Sequence, residues 1–161
     1  MSEPSVLRLV CAAGVVPVVV AAEVAHVRGL AAALRRGGLP VAEVTFRTEA
    51  SVLALRALAA DGDLLVGAGT VIRPQQVDDA RAAGARFVVT PGFSAGVIER
   101  CRELGMPVIP GVSTATEVIA ALDHGCEHRA QVRHVLTILG YDPPDIDGWT
   151  YDEEELGPVP G

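Results

Sequence analysis

Two patterns alternate along the first 125 residues: short runs of β-branched apolar residues, and longer Ala/Leu-rich stretches with apolar positions at helical spacing. Residues 15–20, 41–46, 64–67, 87–90 and 108–110 predict strands; residues 23–36, 49–60, 74–83, 94–104 and 114–122 predict helices. The punctuation agrees with this division. Gly37-Gly38, Asp61-Gly62, Gly84 and Gly105 follow helix ends, Pro74 sits in a first turn, and Thr48 is placed to cap the second helix. The first strand is apolar throughout, as in strands covered on both faces. Five such units, about 22 residues apart with short linkers, predict an α/β fold with parallel strands and right-handed crossovers.

Two architectures accommodate that order, a (β/α)8 barrel and an open doubly wound sheet. A closed barrel takes about 250 residues, so five units alone cannot close one. Near residue 125 the pattern stops. Residues 131–139 fit a short helix or a strand, and Asp142-Pro143-Pro144-Asp145 breaks structure. The expected organisation is a domain at 1–125 followed by a divergent segment at 126–161 that ends in an irregular acidic tail.

Charge sharpens that boundary. Residues 141–161 carry seven acids and no Arg, together with Trp149, Tyr141 and Tyr151; the remaining 13 acids are balanced by 13 Arg. A neutral body without a basic stripe argues against a nucleic-acid surface. The chain has no Lys at all, so no side-chain amine can form a Schiff base. Cys11, Cys101 and Cys126 form no paired framework, which fits a reducing compartment. Residues 1–8 do not read as a signal peptide, and the longest apolar run, 15–22, is broken by Pro17 and too short for a membrane span. A cytoplasmic location, no membrane contact and no cofactor are expected.

In parallel α/β proteins chemistry collects at the carboxyl ends of the strands. Four consecutive strand ends here carry small, polar or backbone-exposing residues: Glu43-Val44-Thr45-Phe46-Arg47-Thr48-Glu49, Gly67-Ala68-Gly69-Thr70, Thr90-Pro91-Gly92-Phe93 and Pro110-Gly111-Val112-Ser113-Thr114. Glu43 lies among Val41, Val44 and Phe46, where burial would raise its pKa and suit it to moving protons. Glu43, Thr45 and Arg47 share one face at period two, and Arg47 could fork a substrate carboxylate. A structural Glu–Arg pair at a strand end is the alternative. Gly67-Ala68-Gly69-Thr70 brings backbone and a hydroxyl close to a ligand, or is simply a tight turn. It lacks the third glycine of a dinucleotide fingerprint, because Ile72 stands there. His124, Cys126 and His128 have the look of metal ligands, but Gly125 weakens a helix between them.

Taken together, these four strand ends resemble the KDPG/KHG aldolase family, the 2-dehydro-3-deoxy-phosphogluconate and 4-hydroxy-2-oxoglutarate aldolases. Val16-Pro17-Val18-Val19 is similar to the family's first strand, and the resemblance runs over about residues 15–125. It implies a TIM (β/α)8 barrel, here a partial one. It also implies a homotrimer and a metal-free class I aldolase that works through a lysine Schiff base. Its substrate would be a small 2-oxo acid, cleaved to pyruvate and glyceraldehyde 3-phosphate or glyoxylate. By the same resemblance Glu43 is the catalytic acid/base, Arg47 and Thr70 bind the pyruvyl carboxylate, and Pro91 and Gly92 line the pocket.

The chain departs from the family at its sixth strand. The family's Lys-Phe-Phe-Pro segment should fall near Ala130, where the sequence reads Cys126-Glu127-His128-Arg129-Ala130-Gln131-Val132. Arg129 stays protonated and cannot replace a lysine nucleophile. The phosphate-binding loops after the seventh and eighth strands are also absent. The expectations are a truncated or frameshifted aldolase chain without turnover of its own, with unpaired outer strands that favour association. The alternatives are a non-catalytic 2-oxo-acid-binding or vestigial module, a metal enzyme built on His124, Cys126 and His128, and a tail that docks through Tyr141, Trp149 and Tyr151.

Overall fold

The computed structural model describes residues 6–27 and 29–123. The chain enters through helix α1 (Val6–Ala13) and strand β1 (Val18–Val19), then a 3-10 turn (Val24–Val27) and α2 (Leu30–Arg36). It continues through β2 (Val41–Thr45), α3 (Ser51–Ala59), β3 (Leu65–Gly69), α4 (Pro74–Ala83), β4 (Phe87–Thr90), α5 (Ala95–Glu103), β5 (Val108–Pro110) and α6 (Ala115–Asp123). All strand pairs are parallel, and the sheet order is β1-β2-β3-β4-β5. That order decides between the two architectures. A doubly wound sheet reverses direction at a switch point, whereas a barrel adds each strand beside the last. The described sheet is five consecutive strands of a barrel-type α/β fold.

The two faces of the sheet are covered differently. Ala42, Val44, Val66, Ala68, Val88 and Val108 face the helices and pack with Leu55, Leu58, Val77, Val97 and Cys101, all buried. On the opposite, inner face a second cluster joins Val41 and Phe87 to Val10 of α1. Val6, Val10 and Ala13 form one stripe of α1, so this short helix closes the amino-terminal end of the inner face. The helix was not expected from the sequence. Conversely, Val18 and Ile109, on the inner face of the outer strands, are 63% and 36% exposed.

Three boundaries differ from expectation, each for a local reason. The first strand shrinks to two residues, since Pro17 has no N–H and contributes only its carbonyl, which accepts from Glu43 N–H at 2.9 Å. The stretch 23–36 breaks at Gly29, which starts α2 after the 3-10 turn. Thr48 does not cap α3, whose first residue is Ser51 after Ala50; its hydroxyl donates instead to the Ala21 carbonyl at 2.7 Å. Pro74 and Gly84 act as expected: α4 opens on Pro74 and closes on Gly84 at φ +99°. The expected segment 126–161, with Cys126, His128, Arg129, Ala130, Tyr141, Trp149 and Tyr151, lies outside the described residues, as does His124. Among the described residues no helix is long and apolar enough to cross a membrane.

Candidate active site

β2 supplies the central group. Glu43 pairs in register with Val18 on one side and Gly67 on the other, which places it mid-strand on the inner face. Its side chain leans toward the carboxyl end of the sheet and lies over the backbone of Gly69, two residues beyond Gly67 on β3. A Cβ at position 69 would occupy the space of the Glu43 carboxylate. Two residues earlier, a Cβ at Gly67 would collide with the Phe87 ring. The two glycines therefore hollow β3 on its inner face, first for an aromatic ring and then for a carboxylate. This corrects the expectation of a tight turn, because β3 runs on through Gly69.

Electrostatics follow from that seat. Burial pushes the Glu43 carboxyl above the usual glutamate range, and the nearby Arg47 guanidinium opposes the rise. Arg47 is not on the strand: β2 ends at Thr45, and the Arg47 N–H donates back to the Thr45 carbonyl at 2.9 Å. The expected period-two face thus holds for Glu43 and Thr45 and gives way to a turn at Arg47. The exposed Arg47 side chain lowers the Glu43 pKa through its charge, at a separation beyond a direct ion pair.

Thr70 follows β3 directly. It is the one non-glycine with positive φ among the described residues, at +57°. A β-branched residue is strained there, and such strain gathers at functional sites. Val71 N–H then reaches the Val89 carbonyl at 3.2 Å, tying the turn to β4. Pro91 and Gly92 sit at the same end of the sheet, in the loop after β4. The Thr90 hydroxyl donates to the Gly92 carbonyl at 2.7 Å, and Gly111 N–H donates to the Thr90 carbonyl at 2.8 Å. Gly111 is glycine for a reason of space, since a Cβ would meet the Pro91 carbonyl oxygen at 2.6 Å. Arg47, Thr70, Pro91 and Gly92 thus stand at the carboxyl end, and the mid-strand Glu43 reaches toward it over Gly69. Pro91 and Gly92 lie two strands away from β2.

Among the described residues no group of three or more His, Cys, Asp or Glu could hold a metal ion. The sequence of the family described as KDPG and KHG aldolase matches residues 6–130 of this chain. The chain belongs to that family. The KHG/KDPG aldolase of Escherichia coli (strain K12) is 43% identical over 112 residues, covering 69% of this chain and 53% of that protein. The 2-dehydro-3-deoxy-phosphogluconate aldolase of Treponema pallidum is 46% identical over 137 residues, covering 84% and 60%. The chain therefore spans only 53–60% of the length of these two relatives. Among solved KDPG aldolases, that of Legionella pneumophila, with pyruvate captured as a covalent carbinolamine, superposes with a TM-score of 0.72 at 32% identity. The match covers 86% of this chain and 73% of that one. The Zymomonas mobilis ZM4 enzyme with 3-phosphoglycerate gives 0.69 at 32% identity, covering 84% and 68%.

As a KDPG and KHG aldolase family member, this chain places Glu43 where a glycine-lined strand makes room for it. Sequence reasoning named Glu43 but missed that Gly69 is its seat. The available signal was the period-two spacing of Gly67 and Gly69 on the strand next to Glu43. It also missed Ser51, a serine 2% exposed at the start of α3, whose spacing from Thr48 was the clue.

Proposed function

We propose that these residues form the 2-oxo-acid half of a class I aldolase site. The whole protein's reaction on this reading is cleavage of 2-dehydro-3-deoxy-6-phosphogluconate, 4-hydroxy-2-oxoglutarate, or both. The products are pyruvate and the matching aldehyde, glyceraldehyde 3-phosphate or glyoxylate. Glu43 moves protons at the reacting carbonyl and hydroxyl, Arg47 and the Thr70 hydroxyl hold the carboxylate, and Pro91 and Gly92 line the pocket. The observation that carries this reading is the Glu43 carboxylate, seated over Gly69, raised by burial and subject to the Arg47 charge. A carboxyl whose pKa is raised by burial holds its proton more readily than a free one and suits proton transfer, and a guanidinium matches a carboxylate bidentately.

The covalent step needs an amine that attacks the substrate C2 carbonyl and then serves as electron sink. None of the 161 residues is Lys. On this reading the chain alone binds 2-oxo acids and does not turn them over. The test is titration of the purified chain with pyruvate by calorimetry, beside borohydride trapping and a lactate-dehydrogenase-coupled cleavage assay. Saturable binding that is lost in Arg47→Ala, with no trapped adduct and no turnover, is expected. Absence of binding by any 2-oxo acid would leave a vestigial α/β module instead. Lysine-type turnover in the pure chain would overturn the binding-only reading. Homotrimeric assembly belongs to the same proposal, and analytical ultracentrifugation decides it.

A further inference from the structure

The turn that carries Arg47 is tied at four points by hydrogen bonds. Phe46 N–H donates to the Gly69 carbonyl at 2.8 Å, joining the turn to β3. The Thr48 hydroxyl donates to the Ala21 carbonyl at 2.7 Å, joining it to the chain beyond β1. The Ser51 hydroxyl donates to the Thr45 carbonyl at 2.8 Å, while Thr48 N–H donates to Ser51 Oγ at 3.1 Å. The two hydroxyl oxygens also lie 3.0 Å apart. Two hydroxyl protons serve three contacts, and the two shorter carbonyl bonds take them. Ser51 Oγ is therefore both donor and acceptor across the turn, bridging the residues on either side of Phe46 and Arg47.

We propose that Ser51 and Thr48 are positioning residues: their paired hydroxyls hold the Arg47 turn so that its guanidinium stays within electrostatic reach of Glu43. A buried serine is costly unless its hydroxyl is bonded, so its place at 2% exposure fits a structural duty in this turn. Arg47 itself is exposed and has a long, flexible side chain, so its mean position depends on where its backbone is held. Neither hydroxyl needs to touch the ligand.

This proposal rests on the reading of Arg47 as a carboxylate binder, but one readout does not need a ligand. Arg47 is the charged group that pulls the Glu43 pKa down against burial. Releasing the turn lets that pKa rise. The experiment is NMR titration of the Glu43 side-chain carboxyl in Ser51→Ala and Thr48→Val, each also made in an Arg47→Gln background. Thr48→Val keeps the side-chain shape and covers the case in which Ser51→Ala does not fold. Thr48→Ser, which keeps the hydroxyl, serves as the rescue.

The expected result is an upward shift of the Glu43 pKa in both single variants, no further shift in the Arg47→Gln background, and return in Thr48→Ser. Pyruvate affinity should fall about tenfold in Ser51→Ala, and not fall further once Arg47 is gone. An unchanged Glu43 pKa, or the same shift with and without Arg47, overturns the positioning role. If the wild-type chain binds no pyruvate, the functional reading fails while the Glu43 titration still decides this one.

Discussion

The Glu43 carboxylate lies on the bare backbone of Gly69, in the space that any side chain there would fill. The obstacle to a methyl group is the Glu43 side chain from its carboxylate in to Cγ, which is flexible and swings away only by rotating as a whole. Gly69→Ala is therefore expected to cost little stability, under about 1 kcal/mol, against the 1–3 kcal/mol of typical overpacking. Its effect falls on the site: Glu43 is displaced toward water, its pKa drops toward the ordinary value, and pyruvate binding weakens. Thermal melts and a pyruvate titration on the same variant separate the two effects.

Gly67→Ala gives the opposite balance. The atoms met there belong to the Phe87 ring, which is fully buried between β3 and α1 and has nowhere to turn. Destabilisation of about 1–3 kcal/mol is expected. Pairing it with Phe87→Leu should recover part of the loss in urea unfolding, whereas additive losses would show that the ring is not the obstacle.

Glu43 also links stability to pH. Its folded pKa is raised above the ordinary 4.5, so folding favours the protonated form. That contribution is fully present below pH 4.5 and is lost as pH rises through the folded value. Glu43→Gln removes the ionisation and is expected to be more stable than wild type at neutral pH, with the gain vanishing in acid. Melts across pH 4–8 check the sign; a gain that persists unchanged in acid contradicts the linkage.

Thr70 holds φ at +57° at the end of β3. Thr70→Gly should stabilise the chain by about 1 kcal/mol through relief of that strain, less the entropy glycine adds to the unfolded chain. Binding of pyruvate should weaken at the same time, because the hydroxyl is gone. Thr70→Ser keeps the hydroxyl without β-branching and is expected to retain binding. A Thr70→Gly variant with undiminished affinity removes Thr70 from the site.

Cys101 packs in the core of α5, where burial pushes its thiol up to about 12, while Cys11 is exposed on α1. In a Cys126→Ser background, a thiol reagent at pH 8 should label Cys11 at once and Cys101 only on unfolding. Equal labelling rates in native protein would mean that α5 opens readily.

The succession of five strands and their helices was legible in the sequence because each element carries its own local code. Inner strands read as short apolar runs, and Pro74 and Gly84 mark the two ends of α4. The acid at residue 43, the cation at 47 and the absence of lysine are likewise properties of composition and order. Helix α1 was not legible: eight residues have little intrinsic helicity, and this helix is held by Val41 and Phe87, far along the chain. Nor were the roles of Gly67, Gly69 and Ser51, since a glycine's neighbour across the sheet and a buried hydroxyl's partners are set by strand register and packing. The sequence by itself determined which groups are available and the order of the elements. Only the tertiary structure decided that Gly69 makes room for Glu43 and that Ser51 and Thr48 hold the turn of Arg47, because those contacts join residues brought together by parallel pairing and loop closure.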